Sequence, residues 1–241
     1  MKVLTMQAEW RKIIFVNYRI DKEVLEPWLS PGTEYDLYQG ECFISLAGFL
    51  FLHTHFALIP FPFHQAFEEF NLRFYVVRKE KNEDRRGVVF IREFVRKPVF
   101  KWLANTFARE KYECYSMRSE IRHDAHQLSA QYSFHAGDRW NTLTATAAPG
   151  VQLIEQGSLT EFIAEHYYGY NKLGRDLSLE YRLHHPRWAA YPFRTVDVDC
   201  DFRSFYPPQF VPYLSGEPHS VQVIEGSPVA LSPNRIIRGR Q

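Results

Sequence analysis

The stretch Phe67-Glu-Glu-Phe-Asn-Leu-Arg-Phe-Tyr-Val-Val77 decides how this chain reads. Phe70, Leu72, Phe74 and Val76 alternate with Glu69, Asn71, Arg73 and Tyr75. Successive strand residues point to opposite faces of a sheet. The stretch therefore predicts a β-strand with one apolar face and one face carrying a carboxylate, an amide, a guanidinium and a phenol in a row. Two readings are open. The strand is half-solvated, with its polar face in water. Or it lines a closed pocket, with Glu69 and Arg73 as convergent polar groups on an apolar wall.

On its C-terminal side, the mixed-sign run from Arg78 to Gly87 predicts a solvated hairpin loop rather than a binding patch, and Val88 to Phe94 the return strand. Pro98 to Lys111 reads as a helix, with Pro98 at a first helical position and an apolar stripe through Val99, Trp102, Leu103, Thr106 and Phe107. Tyr115 to Arg122, Leu128 to Phe134 and Trp140 to Ala147 predict a three-stranded meander. Ser158-Leu-Thr-Glu161 is a capping box and predicts a helix to about Tyr167. Leu177 to Leu183, Phe193 to Phe202, Val221 to Ile224 and Val229 to Leu231 read as strands. Pro207 to Gly216 reads as a turn or short helix, and the basic tail from Arg235 as frayed.

On the N-terminal side, Ile13 to Ile20 reads as a strand, followed by a short helix capped by Asp21 and stopped at Pro31-Gly32. Tyr35 to Tyr38 and Glu41 to Leu52 read as strands joined at Gly40, and Ile59 to Phe63 as a Pro-stiffened loop. Roughly ten strands joined by hairpins imply mainly antiparallel pairing in stacked sheets or a closed barrel.

The 241 residues contain no linker or internal repeat, so one domain spanning 1–241 is expected. Hydrophobic residues make up 45%, enough for a sizeable core, and 20 Phe, 14 Tyr and 5 Trp suit strands and pocket walls. With 29 basic and 28 acidic residues the chain has no field to draw a polyanion, which argues against nucleic acid as a partner. Three scattered cysteines, Cys42, Cys114 and Cys200, without a CxxC argue against a disulfide framework or structural zinc and fit a reducing cytoplasm. The N-terminus lacks a signal peptide's apolar core. The longest apolar stretch, Cys42 to Leu52, is too short to span a bilayer, so no membrane partner is expected.

Chemical motifs are sparse. His53 and His55 have a spacing that can hold a metal, but no third ligand is evident, and surface or structural roles are expected. His184-His185-Pro186 reads as a turn, and Glu165-His166 as the end of a helix, where His favours the C-terminal dipole. The chain has no GxSxG, GxGxxG or P-loop. On pattern alone Arg109 is a solvated helix-end cation.

Several segments together resemble the YqjF-like family of uncharacterised bacterial proteins, within the acetoacetate decarboxylase-like superfamily. They are Trp10 with Asn17-Tyr18, Leu29-Ser-Pro-Gly32, Tyr35-Asp36, Ser45-Leu-Ala-Gly-Phe49, the Phe67 to Val76 set, Gly87 to Glu93, Ala108-Arg109, Tyr112-Glu113, Glu161-Phe162, Glu165-His-Tyr167, Glu180-Tyr181 and His185-Pro-Arg-Trp188. The resemblance implies a cone-like antiparallel barrel with about three peripheral helices and an internal pocket. Acetoacetate decarboxylases hold there a Schiff-base lysine followed by a second lysine, whose charge keeps the first amine free to attack a ketone. Carried over without gaps from Ala108-Arg109-Glu110, those lysines fall on Ser116 and Met117, neither of which forms an imine. Lys111 is close but off the matching position.

The family's pocket glutamate matches Glu69 best, with Glu68 the alternative. The expected site is thus Glu69, Asn71 and Arg73, with Tyr75 at one end and Arg109 nearby. Arg73 or Arg109 would hold a carboxylate, and Glu69 would act as acid or base if desolvated. Three functions compete: a small-molecule-binding barrel for a small carboxylate or apolar metabolite, an enzyme on an oxo-acid using Glu and Arg groups, and an oligomeric scaffold with a vestigial pocket. No cofactor is implied, and the superfamily resemblance makes a homo-oligomer possible.

Overall fold

The computed structural model describes residues 6–56, 59–60, 66–96 and 112–239. The helix expected over Pro98 to Lys111, with Arg109, and most of the Pro-stiffened loop after Ile59 lie outside them.

In chain order, β1 (Met6–Ile20) leads through α1 (Lys22–Leu25) to β2 (Glu34–Tyr35), β3 (Cys42–Phe56) and β4 (Ile59–Pro60). β5 (Phe67–Lys79) and β6 (Asp84–Val95) form a hairpin, and β7 (Tyr112–Cys114) lies beside β6. β8 (Ser116–His123), β9 (Leu128–Ala136) and β10 (Arg139–Ala147) are the expected meander. Then come β11 (Gln152–Leu153), α2 (Leu159–Ala164), β12 (Tyr168–Lys172), β13 (Leu177–His184), β14 (Ala189–Tyr191) and β15 (Phe193–Asp199). The chain continues through α3 (Val211–Leu214), β16 (Ser220–Leu231) and β17 (Arg235–Arg238). No helix among the described residues is long and apolar enough to cross a membrane.

Strands β16, β1, β3, β5, β6, β12 and β13 pair in that order, and β13 returns to β16 through Leu183 opposite Leu231 and His184 opposite Ala230. The sheet thus closes partly into a ring. Its pairing is mixed. β7 and β12 run parallel to β6, which requires the long connections that precede them. A second sheet, ordered β15-β10-β9-β8, covers the outside of the ring.

This arrangement buries β5 on both sides. Phe70, Leu72, Phe74 and Val76 face outward into a core shared with Tyr132 and Phe134 of the covering sheet. The opposite face looks into the ring, where Phe67 and Tyr75 join Phe15, Phe43, Phe49, Phe51, Phe162 and Ile163. The half-solvated reading of the strand is therefore wrong: Glu69, Asn71 and Arg73 are all buried.

The ring interior is plugged by α2. Ser158 Oγ accepts the Glu161 N–H at 3.1 Å, and the Glu161 carboxylate accepts the Gly157 N–H at 2.6 Å, so the capping box forms one residue wider than expected. The helix ends at Ala164, short of Tyr167, because its apolar Phe162, Ile163 and Ala164 already sit inside the ring and the chain must turn out to reach β12.

Three other expectations change. The run after Arg78 is not merely solvated. Arg78 and Arg85 approach the buried Glu180 carboxylate at 3.5 and 3.1 Å, and Arg86 reaches inward to Asp36. The tail is a paired strand, because Arg235 Nε binds Glu180 at 2.5 Å as β17 docks on β13. The two final strands are one, β16, which bends at Gly226.

Gly226 has φ +80°, and a Cβ there would stand 1.9 Å from the Trp10 carbonyl oxygen on β1. Gly226→Ala combines the left-handed penalty with a backbone clash and is expected to cost at least about 2 kcal/mol of unfolding free energy. Gly150→Ala, with nothing within 4 Å of the new methyl, is the near-neutral control. Denaturant melts check both, and equal stability for the two variants would contradict this account of the bend.

Candidate functional site

The polar side chains of the ring interior follow from strand register. Asn17 on β1 stands opposite Ser45 on β3, and Ser45 stands opposite Arg73 on β5. Asn71 stands opposite Glu93 on β6, and Glu93 opposite Tyr112 on β7. Along β5 the inward positions are Glu69, Asn71, Arg73 and Tyr75. A polar band thus crosses an aromatic interior.

The band has two hydrogen-bonded ends. At one, Tyr75 Oη is bonded to Ser45 Oγ, which donates to Asn17 Oδ1 at 2.5 Å. Asn17 Nδ2 continues to the Ser220 carbonyl at 3.1 Å and to Gln222. At the other, Glu69 accepts from Asn71 Nδ2 at 2.8 Å and from Tyr112 Oη at 2.9 Å. Glu68 points to the outer side, where Ser119 Oγ donates to it at 2.9 Å, so of these two carboxylates Glu69 is the one that faces the ring interior.

Arg73 lies between the ends and is 7% exposed. Its guanidinium carbon is 4.3 Å from the Phe15 ring centre and 5.6 Å from that of Tyr75. Nη2 donates to the Ile163 carbonyl at 3.1 Å, near the C-terminal end of α2, where a cation is favourable. Nε has no partner among the described residues, and no carboxylate there lies within ion-pair distance of Arg73. A bulge between Leu72 and Arg73, relative to β6, falls at this point. Asn71 Oδ1 is likewise buried without a partner among these residues.

His166, just past α2, completes the band. It is buried rather than sitting on a helix end. Its Nε2 faces Asp36 Oδ2 at 3.1 Å, and Arg86 Nε donates to the same oxygen at 2.7 Å. Its ring lies 4.7 Å from Tyr75 and 5.3 Å from Phe162. Burial lowers the imidazole pKa to about 4, against the Asp36 hydrogen bond that raises it; the Arg86 and Arg73 charges add to the lowering. Asp36 is held below its ordinary value: His166 and Arg86 outweigh the effect of burial.

The remaining candidates lie elsewhere. Ser116 is exposed and Met117 packs in the outer core, so neither position carried over from the lysine pair belongs to the ring interior. Arg109 and Lys111 lie outside the described residues. An open groove of about 650 Å³ is lined by His53, His55, His184 and His185. Among the described residues no three His, Cys, Asp or Glu side chains are arranged to hold a metal. His53 is exposed and pairs with Glu9 at 3.0 Å. His185 is more than a turn residue, since its ring stacks between Tyr167 and Trp188 at 4.5 and 4.2 Å.

Asn17, Asp36, Ser45, Glu93 and Tyr112 entered the sequence reading only as marks of resemblance, and His166 also as a helix-end residue. For Asn17 and Ser45 a signal was present: each occupies an inward position whose neighbours two residues away, such as Phe15, Phe43 and Ala47, are apolar. Asp36 and His166 come from loop ends and had no such signal.

His166 gives a pH signature. A histidine whose folded pKa is depressed contributes stability in full above its unfolded value of 6.5 and loses it as pH falls toward about 4. The displacement corresponds to about 3 kcal/mol. His185, also lowered, chiefly by burial, adds to the same window, whereas Asp36 acts below it. His166→Gln should flatten the wild-type fall in stability between pH 6.5 and 4; an unchanged slope would mean that His166 is already charged in the folded state.

Comparison with known proteins bears on the fold and the family. Over 188 residues the chain is 28% identical to the uncharacterized protein YqjF of Bacillus subtilis (strain 168), covering 75% of this chain and 73% of that one. Its fold is shared with an acetoacetate decarboxylase-like enzyme from Sphingomonas wittichii RW1, at TM-score 0.64 and 11% identity over 98% of this chain and 94% of that one. The acetoacetate decarboxylase of Legionella pneumophila aligns at TM-score 0.62 and 10% identity, over 97% and 87%. The enduracididine biosynthesis enzyme MppR, complexed with pyruvate, aligns at TM-score 0.65 and 11% identity, over 96% and 90%. At such identities these three structures establish the fold alone. A family model matches residues 7–228, and on that match the chain belongs to the DUF2071 family of uncharacterized conserved proteins.

Proposed function

We propose that this protein binds a small carboxylate inside its barrel, with Arg73 as the anion seat. The observation that carries this reading is a buried guanidinium with no carboxylate in ion-pair distance among the described residues and with Nε unpartnered there. A buried charge of this kind is costly unless something completes it. A carboxylate bound through two parallel hydrogen bonds would do so. Asn71 Oδ1 and His166 Nδ1, buried and unpartnered among the same residues, point to a polar ligand rather than to an apolar one. Phe15, Phe43, Phe51, Phe67 and Phe162 occupy much of the interior, which restricts the ligand to a few heavy atoms and is also what a vestigial pocket would look like. The pyruvate complex of MppR, a protein of the same fold, is compatible with a ligand of this size and charge.

A second reading, an enzyme acting on an oxo-acid, is favoured by one feature. The same interior holds Glu69, bonded to Tyr112, and His166, oriented by Asp36, which are groups suited to moving protons. This reading uses no imine, since the ungapped carry-over from Ala108-Arg109-Glu110 puts Ser116 and Met117 at the positions of the lysine pair.

A thermal-shift screen of small carboxylates, run on wild type and Arg73→Met, tests the binding reading. At a concentration of 100 times Kd a ligand specific for the folded state adds about 2.7 kcal/mol. The variant should melt no lower than wild type without ligand, since an unpaired buried charge is replaced by an apolar chain of similar size. It should also lose every shift. Shifts that survive in Arg73→Met, or silence from a broad panel on folded wild type, would remove Arg73 as the anion seat. Borohydride treatment with pyruvate should leave the protein mass unchanged; a trapped adduct would restore imine chemistry through another lysine.

A further inference from the structure

The seat beside Arg73 has a second unmet requirement, and it narrows the ligand. Asp36 is ionised and can only accept, so the His166 nitrogen facing it, Nε2, carries the proton. Nδ1 is then a bare acceptor. It is turned away from Asp36, buried in a side chain only 1% exposed, and without a donor among the described residues. The tautomer is locked from behind: Arg86 holds the same Asp36 oxygen, and the Asp36 backbone N–H donates to the Tyr75 carbonyl at 3.1 Å. His166 and Arg73 both lie against one ring, that of Tyr75, at 4.7 and 5.6 Å, near enough for the Arg73 charge to act on the imidazole. One site thus offers hydrogen-bond donors from a cation and, beside them, an acceptor that wants a proton.

Resting on the carboxylate reading of Arg73, we propose that the ligand is a short hydroxycarboxylic acid, its carboxylate on Arg73 and its hydroxyl donating to His166 Nδ1. A simple carboxylate leaves Nδ1 unmet. A 2-oxo acid brings only acceptors and sets a lone pair against a lone pair. An amino acid has a donor, but its ammonium would enter a site that already contains the Arg73 and Arg86 cations, with Asp36 committed to Arg86 and His166. The hydroxyl donates without bringing charge. Phe15, Phe162 and Ile163 leave an apolar surround for a short alkyl chain. Burial keeps His166 neutral at neutral pH, so the acceptor is available throughout the physiological range. His166 is here a specificity-determining residue that needs no bond made or broken.

Four probes of one chain length test this at pH 7.5: 2-hydroxybutanoate, butanoate, 2-oxobutanoate and 2-aminobutanoate, titrated calorimetrically into the full chain. The expected result is that 2-hydroxybutanoate binds about 10-fold more tightly than butanoate, with the oxo and amino acids no better than butanoate. His166→Gln should reduce the advantage by most of that factor. In wild type labelled with 15N-histidine, the Nδ1 resonance of His166 should shift on adding 2-hydroxybutanoate and stay in place on adding butanoate, a readout that requires no substitution. Equal binding of all four, lost in Arg73→Met, would leave the carboxylate reading standing and overturn the hydroxyl assignment. A preference for 2-oxobutanoate or 2-aminobutanoate would overturn it likewise. If none of the four binds, both readings fall.

Discussion

A strand buried on both faces has no water in which to place a charge. β5 is such a strand, and the structure is organised around that fact. Its outward side chains are apolar and join the core under the second sheet. Its inward side chains include a carboxylate, an amide, a guanidinium and a phenol, and each needs partners supplied by neighbouring strands. Register supplies them: Ser45 and Asn17 in line for Tyr75, Tyr112 for Glu69, and the end of α2 for Arg73. The supply is uneven. Glu69 and Tyr75 are well bonded, whereas Arg73 retains unused donors and His166 an unused acceptor.

On the carboxylate reading proposed above, that unevenness is what a bound ligand would relieve. A polar cluster kept for folding alone tends toward complete pairing, because each buried orphan costs about 1–3 kcal/mol. Here Arg73 Nε, Asn71 Oδ1 and His166 Nδ1 are buried without partners among the described residues, and they differ in what they require: a donor and two acceptors are left open. The Glu180 cluster, with Arg78, Arg85 and Arg235 around one carboxylate, ties β5, β6, β13 and β17 together. Its opposite charges face one another, with Arg78 Nη1 and Glu180 Oε2 3.5 Å apart and neither atom hydrogen-bonded among the described residues.

The chain shares its fold with acetoacetate decarboxylases, and the two positions carried over from their lysine pair fall outside its ring interior. Ser116 and Met117 begin β8, in the covering sheet, and the described part of the ring interior is built without them. The interior holds an acidic group, Glu69, and an imidazole, His166, that faces Asp36. The closing of the ring depends on strand pairing and apolar alternation, whereas imine chemistry would depend on one nucleophilic amine at one place, so the fold does not by itself carry the chemistry.

Much of this was legible in the chain. Period-two alternation placed Glu69, Asn71, Arg73 and Tyr75 on one face of one strand, the capping box placed the start of α2, and hairpin spacing gave the meander, because these depend on contacts a few residues apart. Alternation also limits what a sequence can say, since it shows that two faces differ without showing what covers each. Whether the polar face of β5 met water or protein was settled by ring closure between β13 and β16 and by the docking of α2, contacts between residues far apart in the chain. The same holds for His166, whose partner Asp36 lies 130 positions away, and for the tail, which is ordered by a carboxylate on another strand. Sequence determined the strands and their faces through local geometry; tertiary structure alone decided which polar groups were buried and which were left unpaired, because burial and pairing are properties of neighbours that the chain brings together only when folded.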